Sequence, residues 1–336
     1  MKNSPAVAVV GAAGMVGREL LDLLESRRFP AGSLLPFGSG RKEAVIRFRG
    51  RPLRCPKPSL GQLRKARLVF FVSTDDISGR LARKLADEGI WCIDDSSMFR
   101  LDPGVPLVIP EVNSGELSPR KKLIAGPNCT ITGLAVAAWP LHRRFGVKKI
   151  RLATYQAVSG AGRRAVDQLE KELRASSAGK TAPAEKSVLP RPIAFNLFPQ
   201  VGSFDSDGNS VEEVKVAREL RKIWKAPGLK LSCTAVRVPV LRGHSLAAWI
   251  STGRLCPVPE AIRLIRHAPG VKFFEGLNYP TPLDCVKTLP VMVGRVRKSQ
   301  SSPREIQMWI VSDNLYKGSA LNSIQIAEFI LKNRWI

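Results

Sequence analysis

The sequence of 336 residues predicts an α/β protein: an N-terminal domain with a Rossmann-type parallel sheet and a second domain with an α+β fold. Three observations support this prediction. Short apolar strands alternate with amphipathic helices over the first 130 residues, and a glycine-rich turn joins the first strand to the first helix. Further on, strand-like segments follow one another without helices between them, which indicates a mixed or antiparallel sheet.

In the first domain, strands are predicted from continuous apolar runs, and helices from apolar residues at helical spacing. The alternation of the two favours a parallel strand order with helices on both faces. The predicted strands are Ala6–Val10, Leu68–Val72 and Ile90–Ile93, and the predicted helices are Met15–Ser26 and Ser78–Glu88.

In the second domain, a helix is predicted from Cys129 to about Phe145. Residues 176–192 are rich in Ala, Ser, Lys and Pro and are interpreted as an exposed loop. The other predicted helices are Arg163–Ala175, Ser210–Trp224 and Gly318–Asn333, and the predicted strands are Lys149–Val158, Leu231–Val240, Ser245–Arg254 and Gln307–Val311.

The composition sets limits on the class of protein. The formal net charge is +25, and a basic surface attracts nucleic acids, acidic membranes or anionic small molecules. A general compositional bias explains the same charge, so nucleic-acid binding is not expected but stays open. The six cysteines form no C-x-x-C pair, so no metal site and no disulfide framework are expected. The scattered cysteines fit a reducing cytoplasm best. No apolar stretch approaches the roughly 20 residues that span a bilayer, so no membrane association is expected.

Cys129 is the candidate nucleophile. A short apolar strand runs into Gly126–Asn128, and the predicted helix follows, so the thiol is expected at a helix N-terminus. Backbone N–H groups and the helix dipole at that position favour a thiolate, which attacks acyl carbons. The alternative is a buried structural cysteine, which is the commoner fate of free cysteine.

The glycine run Gly11–Gly17 is the candidate dinucleotide loop, because its G-x-x-G-x-x-G spacing lies between a strand and a helix. The alternative is a tight structural turn. NAD-binding units usually place a carboxylate after the second strand, whereas this chain has Ser39 and Arg41 there and no carboxylate before Glu43. A hydroxyl and an arginine suit a 2′-phosphate, so NADP is the expected cofactor. Arg41 could instead be one more surface charge.

Taken together, the motifs resemble the aspartate-β-semialdehyde dehydrogenase family. The resemblance covers essentially the whole chain, in the family's order. It implies NADPH-dependent reduction of β-aspartyl phosphate to aspartate semialdehyde and phosphate through a cysteine thioester, in amino-acid biosynthesis. The motifs are Gly11–Gly17, Asp94–Arg100, Val105–Asn113, Gly126–Thr130, Thr154–Gly162, Glu212–Lys215, Arg237–Ser245, Tyr279–Asp284 and Ser312–Gly318.

The resemblance also implies residue roles. Cys129 would be the nucleophile, His244 the general acid/base and Gln156 the group that orients the reacting atoms. Without the resemblance, His244 would be interpreted as a structural histidine, and Glu212 and Lys215 would be interpreted as an ion pair on a helix surface. The implied substrate-binding residues are Arg100, Asn128, Glu212, Lys215 and Arg237, and the implied cofactor-binding residues are Gly11, Ala13, Gly14, Met15, Val16, Gly17, Ser39, Arg41, Ser73, Ser159, Gly160 and Asn314.

The same resemblance implies an NADP-binding domain formed by residues 1–128 with 316–336, and a catalytic and dimerisation domain formed by residues 129–315. A homodimer is implied, with the C-terminal helix packed on the first domain. Two other hypotheses about function stay open from the sequence. One is a related reductase that acts on N-acetyl-glutamyl phosphate or malonyl-CoA, and the other is a non-enzymatic nucleic-acid-binding protein.

Overall fold

The computed structural model describes residues 4–38, 44–179 and 187–336. Its contacts divide the chain into two compact units, residues 1–128 with 318–336 and residues 129–317. The sequence analysis placed the two crossings at 128/129 and 315/316. Within the described residues, no helix is long and apolar enough to cross a membrane.

The first unit is built on a parallel sheet. The strands of this unit are β1 (Ala6–Val10), β2 (Ser33–Phe37), β3 (Val45–Phe48), β4 (Arg51–Arg54), β5 (Leu68–Phe71), β6 (Trp91–Asp94) and β7 (Leu123–Ala125), and its helices are α1 (Met15–Ser26), α2 (Leu60–Leu63), α3 (Asp75–Asp87), α4 (Pro110–Asn113) and α10 (Leu321–Lys332). Five of these strands form the parallel sheet, in the order β2-β1-β5-β6-β7. The central strands are almost fully buried, which explains their continuous apolar sequences.

The C-terminal helix α10 packs within this first unit. Arg27 donates two hydrogen bonds of 2.7 Å to Glu328, and the Asn322 side chain donates to the carbonyl of Val108 at 2.9 Å. Just beyond the helix, Trp335 stacks on Trp91 with 6.0 Å between ring centroids. The last residues of the chain therefore complete the fold of the first 128.

The second unit is built on a six-stranded mixed sheet in the order β11-β12-β13-β10-β8-β9. The strands β12, β13, β10 and β8 pair antiparallel, and the two edge strands pair parallel. Helices α5, α7 and α8 form a layer on this sheet. The strands are β8 (Val147–Gln156), β9 (Lys230–Arg237), β10 (His244–Thr252), β11 (Val271–Phe273), β12 (Val291–Lys298) and β13 (Glu305–Ser312), and the helices are α5 (Cys129–Phe145), α6 (Arg163–Ser177), α7 (Val211–Ile223), α8 (Val258–Arg266) and α9 (Pro282–Cys285).

The predicted fold class is confirmed. The sequence analysis gave no bounds for several short elements, among them β2, an edge strand that contains Pro36, as edge strands tolerate. It also treated residues 176–192 as an exposed loop. In the described part of that segment, α6 continues to Ser177 and Leu189 is buried, whereas the other residues lie outside helices and strands and are exposed, as the interpretation requires.

Candidate active site

Cys129 is the first residue of α5, so its thiol lies at a helix N-terminus as the sequence predicts. Close packing fixes this helix on the sheet. A Cβ atom at Gly133, one turn further, would lie 2.9 Å from the Ser312 hydroxyl oxygen on β13. The thiol is partly exposed, and its Sγ lies 3.5 Å from Nε2 of His244, which is 115 positions away in the sequence. The two groups needed for nucleophilic catalysis therefore meet within the second unit.

His244 begins β10 and is fully buried. The backbone N–H of Ala157 donates to its Nδ1 at 3.1 Å. Because Nδ1 accepts this bond, the single proton of the neutral ring lies on Nε2, which faces the Cys129 sulfur. Burial lowers the pKa of His244 to about 3, and the positive charge of Arg237 acts in the same direction. The ring is therefore neutral near pH 7, with an N–H group directed at the nucleophile.

A carboxylate and an amide form a second part of the same site. Gln156 ends β8, and its Nε2 donates to Glu212 Oε1 at 3.0 Å. The Thr130 hydroxyl, next to the nucleophile, donates to the same oxygen at 3.0 Å. Glu212 lies in the first turn of α7, which starts with a capping box between Ser210 and Glu213. The favourable helix N-terminus and these two donors stabilise a buried carboxylate beside the cysteine helix.

Arg237 ends β9 and is paired in register with Gln156 of β8. Its Nη1 donates to the Ala157 carbonyl at 2.7 Å. Burial lowers the pKa of the guanidinium, whereas Glu212 and Cys129 raise it through their negative charges. A guanidinium remains protonated in proteins, so Arg237 supplies a fixed positive charge suited to a carboxylate.

Ser159, Gly160 and Asn314 line the same region. A Cβ atom on Gly160 would lie 3.1 Å from Arg237 Nη1 and 3.2 Å from His244 Nε2. Asn314 Oδ1 accepts from the backbone N–H of Gly243 at 2.9 Å, and its amide nitrogen donates to the Ser159 hydroxyl at 3.0 Å. Asn314 therefore binds both Ser159 and the loop before His244, and Gly160 lies close to the His244 ring.

The first unit contains the glycine turn. Gly11 follows β1 with φ of +96°, and a Cβ there would lie 2.3 Å from the carbonyl oxygen of Val72 at the end of β5. A Cβ on Gly17 would lie 2.1 Å from the Gly11 carbonyl oxygen. The chain moves outward in opposite directions from β1 and β5, and α/β sheets bind ligands at such a switch point. Gly14 caps α1 without a side-chain hydrogen bond, Ala13 lies in the turn before it, and Met15 and Val16 are the first two residues of the helix.

The remaining predicted residues fall in several places. Ser73 follows β5, with its hydroxyl 3.5 Å from that of Ser78. Arg100 is buried in the first unit and donates to the Asp95 carbonyl at 2.7 Å. Asn128 is buried just before α5, and Lys215 is half-buried one turn after Glu212. Ser39 and Arg41 lie outside the described residues.

The sequence reasoning missed three contributors to the site. These are the backbone N–H of Ala157, the Thr130 hydroxyl, and the buried ion pair of Arg242 with Asp313. All of these residues lie inside motifs that carry the family resemblance, and this position was the available signal. Among the described residues, no group of three or more His, Cys, Asp or Glu side chains could hold a metal ion.

Two family models match the chain. Residues 6–119 match "Semialdehyde dehydrogenase, NAD binding domain", and residues 139–317 match "Semialdehyde dehydrogenase, dimerisation domain". Aspartate-semialdehyde dehydrogenase of Shewanella violacea is 39% identical, over 97% of this chain and 98% of its own. The enzyme of that name from Synechocystis is 38% identical over the full length of both chains.

Solved structures agree with these relatives. The crystal structure of aspartate semialdehyde dehydrogenase II from Vibrio cholerae is 34% identical, with a TM-score of 0.95 over 98% of this chain and 99% of that one. A second structure of the Vibrio cholerae protein, complexed with ASA, is 33% identical with the same TM-score and the same coverage. This chain therefore belongs to the aspartate-semialdehyde dehydrogenase family.

Proposed function

We propose that the protein catalyses the NADPH-dependent reduction of β-aspartyl phosphate to aspartate semialdehyde and phosphate. The observation that carries the proposal is the 3.5 Å approach of Cys129 Sγ to His244 Nε2 at the start of a helix. Family membership and the buried Glu212 and Arg237 beside that pair support the choice of substrate. A cytoplasmic location stays a prediction.

In the proposed mechanism, the Cys129 thiolate attacks the acyl carbon of β-aspartyl phosphate. A carbon–sulfur bond forms, the carbon–oxygen bond to the phosphoryl group breaks, and phosphate leaves. NADPH, when bound, supplies the hydride that reduces the resulting thioester. The tetrahedral alkoxide then collapses, releasing the aldehyde and regenerating the thiolate on Cys129.

His244 is proposed to act through its Nε2–H group. The bond from Ala157 keeps that proton directed at the sulfur, so the ring stabilises the thiolate and then the oxyanion of the tetrahedral adduct. As general acid/base it would exchange this same Nε2 proton. Gln156 orients the reacting group through its amide, which does not titrate.

The other roles follow from charge. Arg237 would bind the substrate α-carboxylate, and Glu212 its ammonium group. Arg100, Asn128 and Lys215 are proposed for the remaining substrate contacts, with the two cations for phosphate. These assignments follow the family resemblance and stay predictions.

The glycine turn fits a dinucleotide. Gly11 leaves no room for a side chain, and α1 has no side-chain cap, so its N-terminal N–H groups suit a pyrophosphate. We propose that Gly11, Ala13, Gly14, Met15, Val16, Gly17 and Ser73 hold NADP there. Ser39 and Arg41 are proposed for its 2′-phosphate, and Ser159, Gly160 and Asn314 for the nicotinamide.

A homodimer through the second unit is also proposed. One face of its sheet carries half-buried aromatic residues, Tyr155, Trp249 and Trp309, beside the exposed Tyr279. Trp249, Trp309 and Tyr279 line an apolar cavity on this face, and an apolar surface of this kind suits a protein interface. Light scattering coupled to size exclusion would test it, and a monomer at micromolar concentration would contradict it.

The activity is tested by following NADPH formation from aspartate semialdehyde, phosphate and NADP⁺ at 340 nm. Turnover that requires phosphate and prefers NADP⁺ over NAD⁺ is expected. Succinic semialdehyde is the matched control substrate, because it lacks only the amino group that Glu212 is proposed to bind. Equal turnover of the two aldehydes would contradict the assigned substrate, and turnover without phosphate would contradict the reaction type.

A further inference from the structure

A buried ion pair joins the loop before β10 to the loop after β13. Arg242 Nε donates to both oxygens of Asp313 at 2.9 and 2.8 Å, and Arg242 Nη2 lies 2.8 Å from Oδ2. The Asp313 side chain is fully buried and the Arg242 side chain is 13% exposed. The guanidinium also lies 5.1 Å from the centre of the Tyr316 ring. These contacts hold the carboxylate and the guanidinium in one arrangement.

The same carboxylate binds three backbone N–H groups. It accepts hydrogen bonds from Leu315 at 2.9 Å, Tyr316 at 3.2 Å and Lys287 at 2.7 Å. A buried carboxylate requires such a set of donors, and removing any one partner leaves charge unsatisfied. Asp313 therefore ties together three chain segments that are distant in sequence.

The pair lies within two residues of two proposed site residues. Asp313 precedes Asn314, whose Oδ1 accepts from the Gly243 N–H at 2.9 Å. Arg242 is followed by Gly243 and then by His244, which is paired in register with Ser312. Gly243 has φ of +96°, and a Cβ there would lie 2.7 Å from the Cys285 sulfur. Since Gly243 cannot carry a side chain, Arg242 is the side chain that anchors this loop.

We propose that the Arg242–Asp313 pair is the positioning pair of the site: it holds His244 against Cys129 and Asn314 beside the histidine loop. This inference rests on the proposed function for the roles of His244 and Asn314. Neither partner is expected to touch the substrate. Small displacements of catalytic groups lower rates steeply, so loosening the pair should reduce turnover without removing any reacting atom.

The chain offers a matched control at the opposite end of the same two strands. Arg151 Nη2 lies 2.8 Å from both oxygens of Glu305, which is 3% exposed at the start of β13 and opposite Ser251 of β10. Ser251 lies seven residues after His244, or roughly 23 Å along the strand. The control pair also joins an arginine to a buried carboxylate, with Arg151 on β8 and 46% exposed, and it lies far from Cys129.

The experiment compares Asp313→Asn and Arg242→Lys with Glu305→Gln and Arg151→Lys. The first readout is the rate of Cys129 alkylation by iodoacetamide as a function of pH, in the protein without cofactor or substrate. The second is kcat and KM for aspartate semialdehyde. The Asp313 and Arg242 variants should lower kcat about 10- to 100-fold with KM changed less than about threefold. They should also slow alkylation at neutral pH and move its midpoint to higher pH.

Glu305→Gln should lower Tm, and Arg151→Lys should lower it less because Arg151 is 46% exposed, while both leave kcat and the alkylation profile within about twofold of the parent. An unchanged alkylation profile in Asp313→Asn and Arg242→Lys, or equal losses in the controls, would overturn the proposal. If Asp313→Asn does not fold, Arg242→Lys, which keeps the charge but not the planar fork, decides the matter. Alkylation requires no turnover, so a protein inactive on aspartate semialdehyde would refute the proposed function and still test the positioning pair.

Discussion

The two ends of the paired strands β10 and β13 are built alike and differ in function. At each end a buried carboxylate accepts from an arginine: Asp313 from Arg242 at one end, and Glu305 from Arg151 at the other. Glu305 is completed by serine hydroxyls, whereas Asp313 is completed by backbone N–H groups of loops next to His244 and Asn314. An arginine bound to a buried carboxylate thus does not mark a site by itself.

The two ends differ in their distance from the start of α5. The helix places Cys129 3.5 Å from His244 at one end of β10. Nothing comparable is found among the described residues around Glu305, whose neighbours are the Arg151 guanidinium and serine hydroxyls. Substitutions at the cysteine end should therefore change chemistry, and substitutions at the other end should change stability alone.

The largest effect is expected from Cys129→Ser. A serine hydroxyl is a far weaker nucleophile than a thiolate, so turnover should fall by at least about 10³-fold. Cys233→Ser is the matched control, because Cys233 is a half-buried thiol on β9 of the same unit. It should keep activity within about twofold. Both variants are assayed by phosphate-dependent NADPH formation, and an active Cys129→Ser variant would exclude the thioester route.

The second effect concerns the hydrogen-bond donor. His244→Ala removes the Nε2–H and should lower kcat by about 10²- to 10⁴-fold. His244→Gln offers an amide N–H near the same place and should keep more activity than the alanine variant. His267→Asn, at an exposed histidine after α8, should have no effect. If His244→Gln and His244→Ala are equally slow, proton transfer rather than hydrogen-bond donation is the role of the ring.

The sequence predicted the fold class and the residues that lie inside ordered motifs, such as Cys129 at its helix start. It could not predict the contacts made across strands. Strand register decides that Gln156 lies opposite Arg237 and that Ser312 lies opposite His244, and register is not visible in one sequence. The hydrogen bond from the Ala157 backbone to His244 depends on the same register and carries no side-chain signal.

A smaller effect is expected from Gly160→Ala. The added methyl would lie 3.1 Å from Arg237 Nη1 and 3.2 Å from His244 Nε2, so one of these groups must move by a few tenths of an ångström. We expect kcat/KM to fall about tenfold with little change in Tm. Gly228→Ala is the control, because nothing lies within 4 Å of its Cβ position. Equal activities for the two variants would contradict the close approach.

The smallest effect is a pH dependence of stability. The pKa of His244 is lowered from its ordinary value of about 6.5 to about 3 by burial and by Arg237. Between those values the unfolded chain binds one more proton than the folded chain, so the free energy of unfolding falls as pH decreases, by about 1.4 kcal/mol per pH unit. His244→Gln removes this term and leaves the opposite contribution of Asp94, whose pKa burial raises to about 6. Urea denaturation between pH 6.5 and 4.5 should therefore show His244→Gln gaining stability relative to the parent as pH falls, with His267→Asn following the parent. Parallel curves for His244→Gln and the parent would mean that the ring titrates normally in the folded protein.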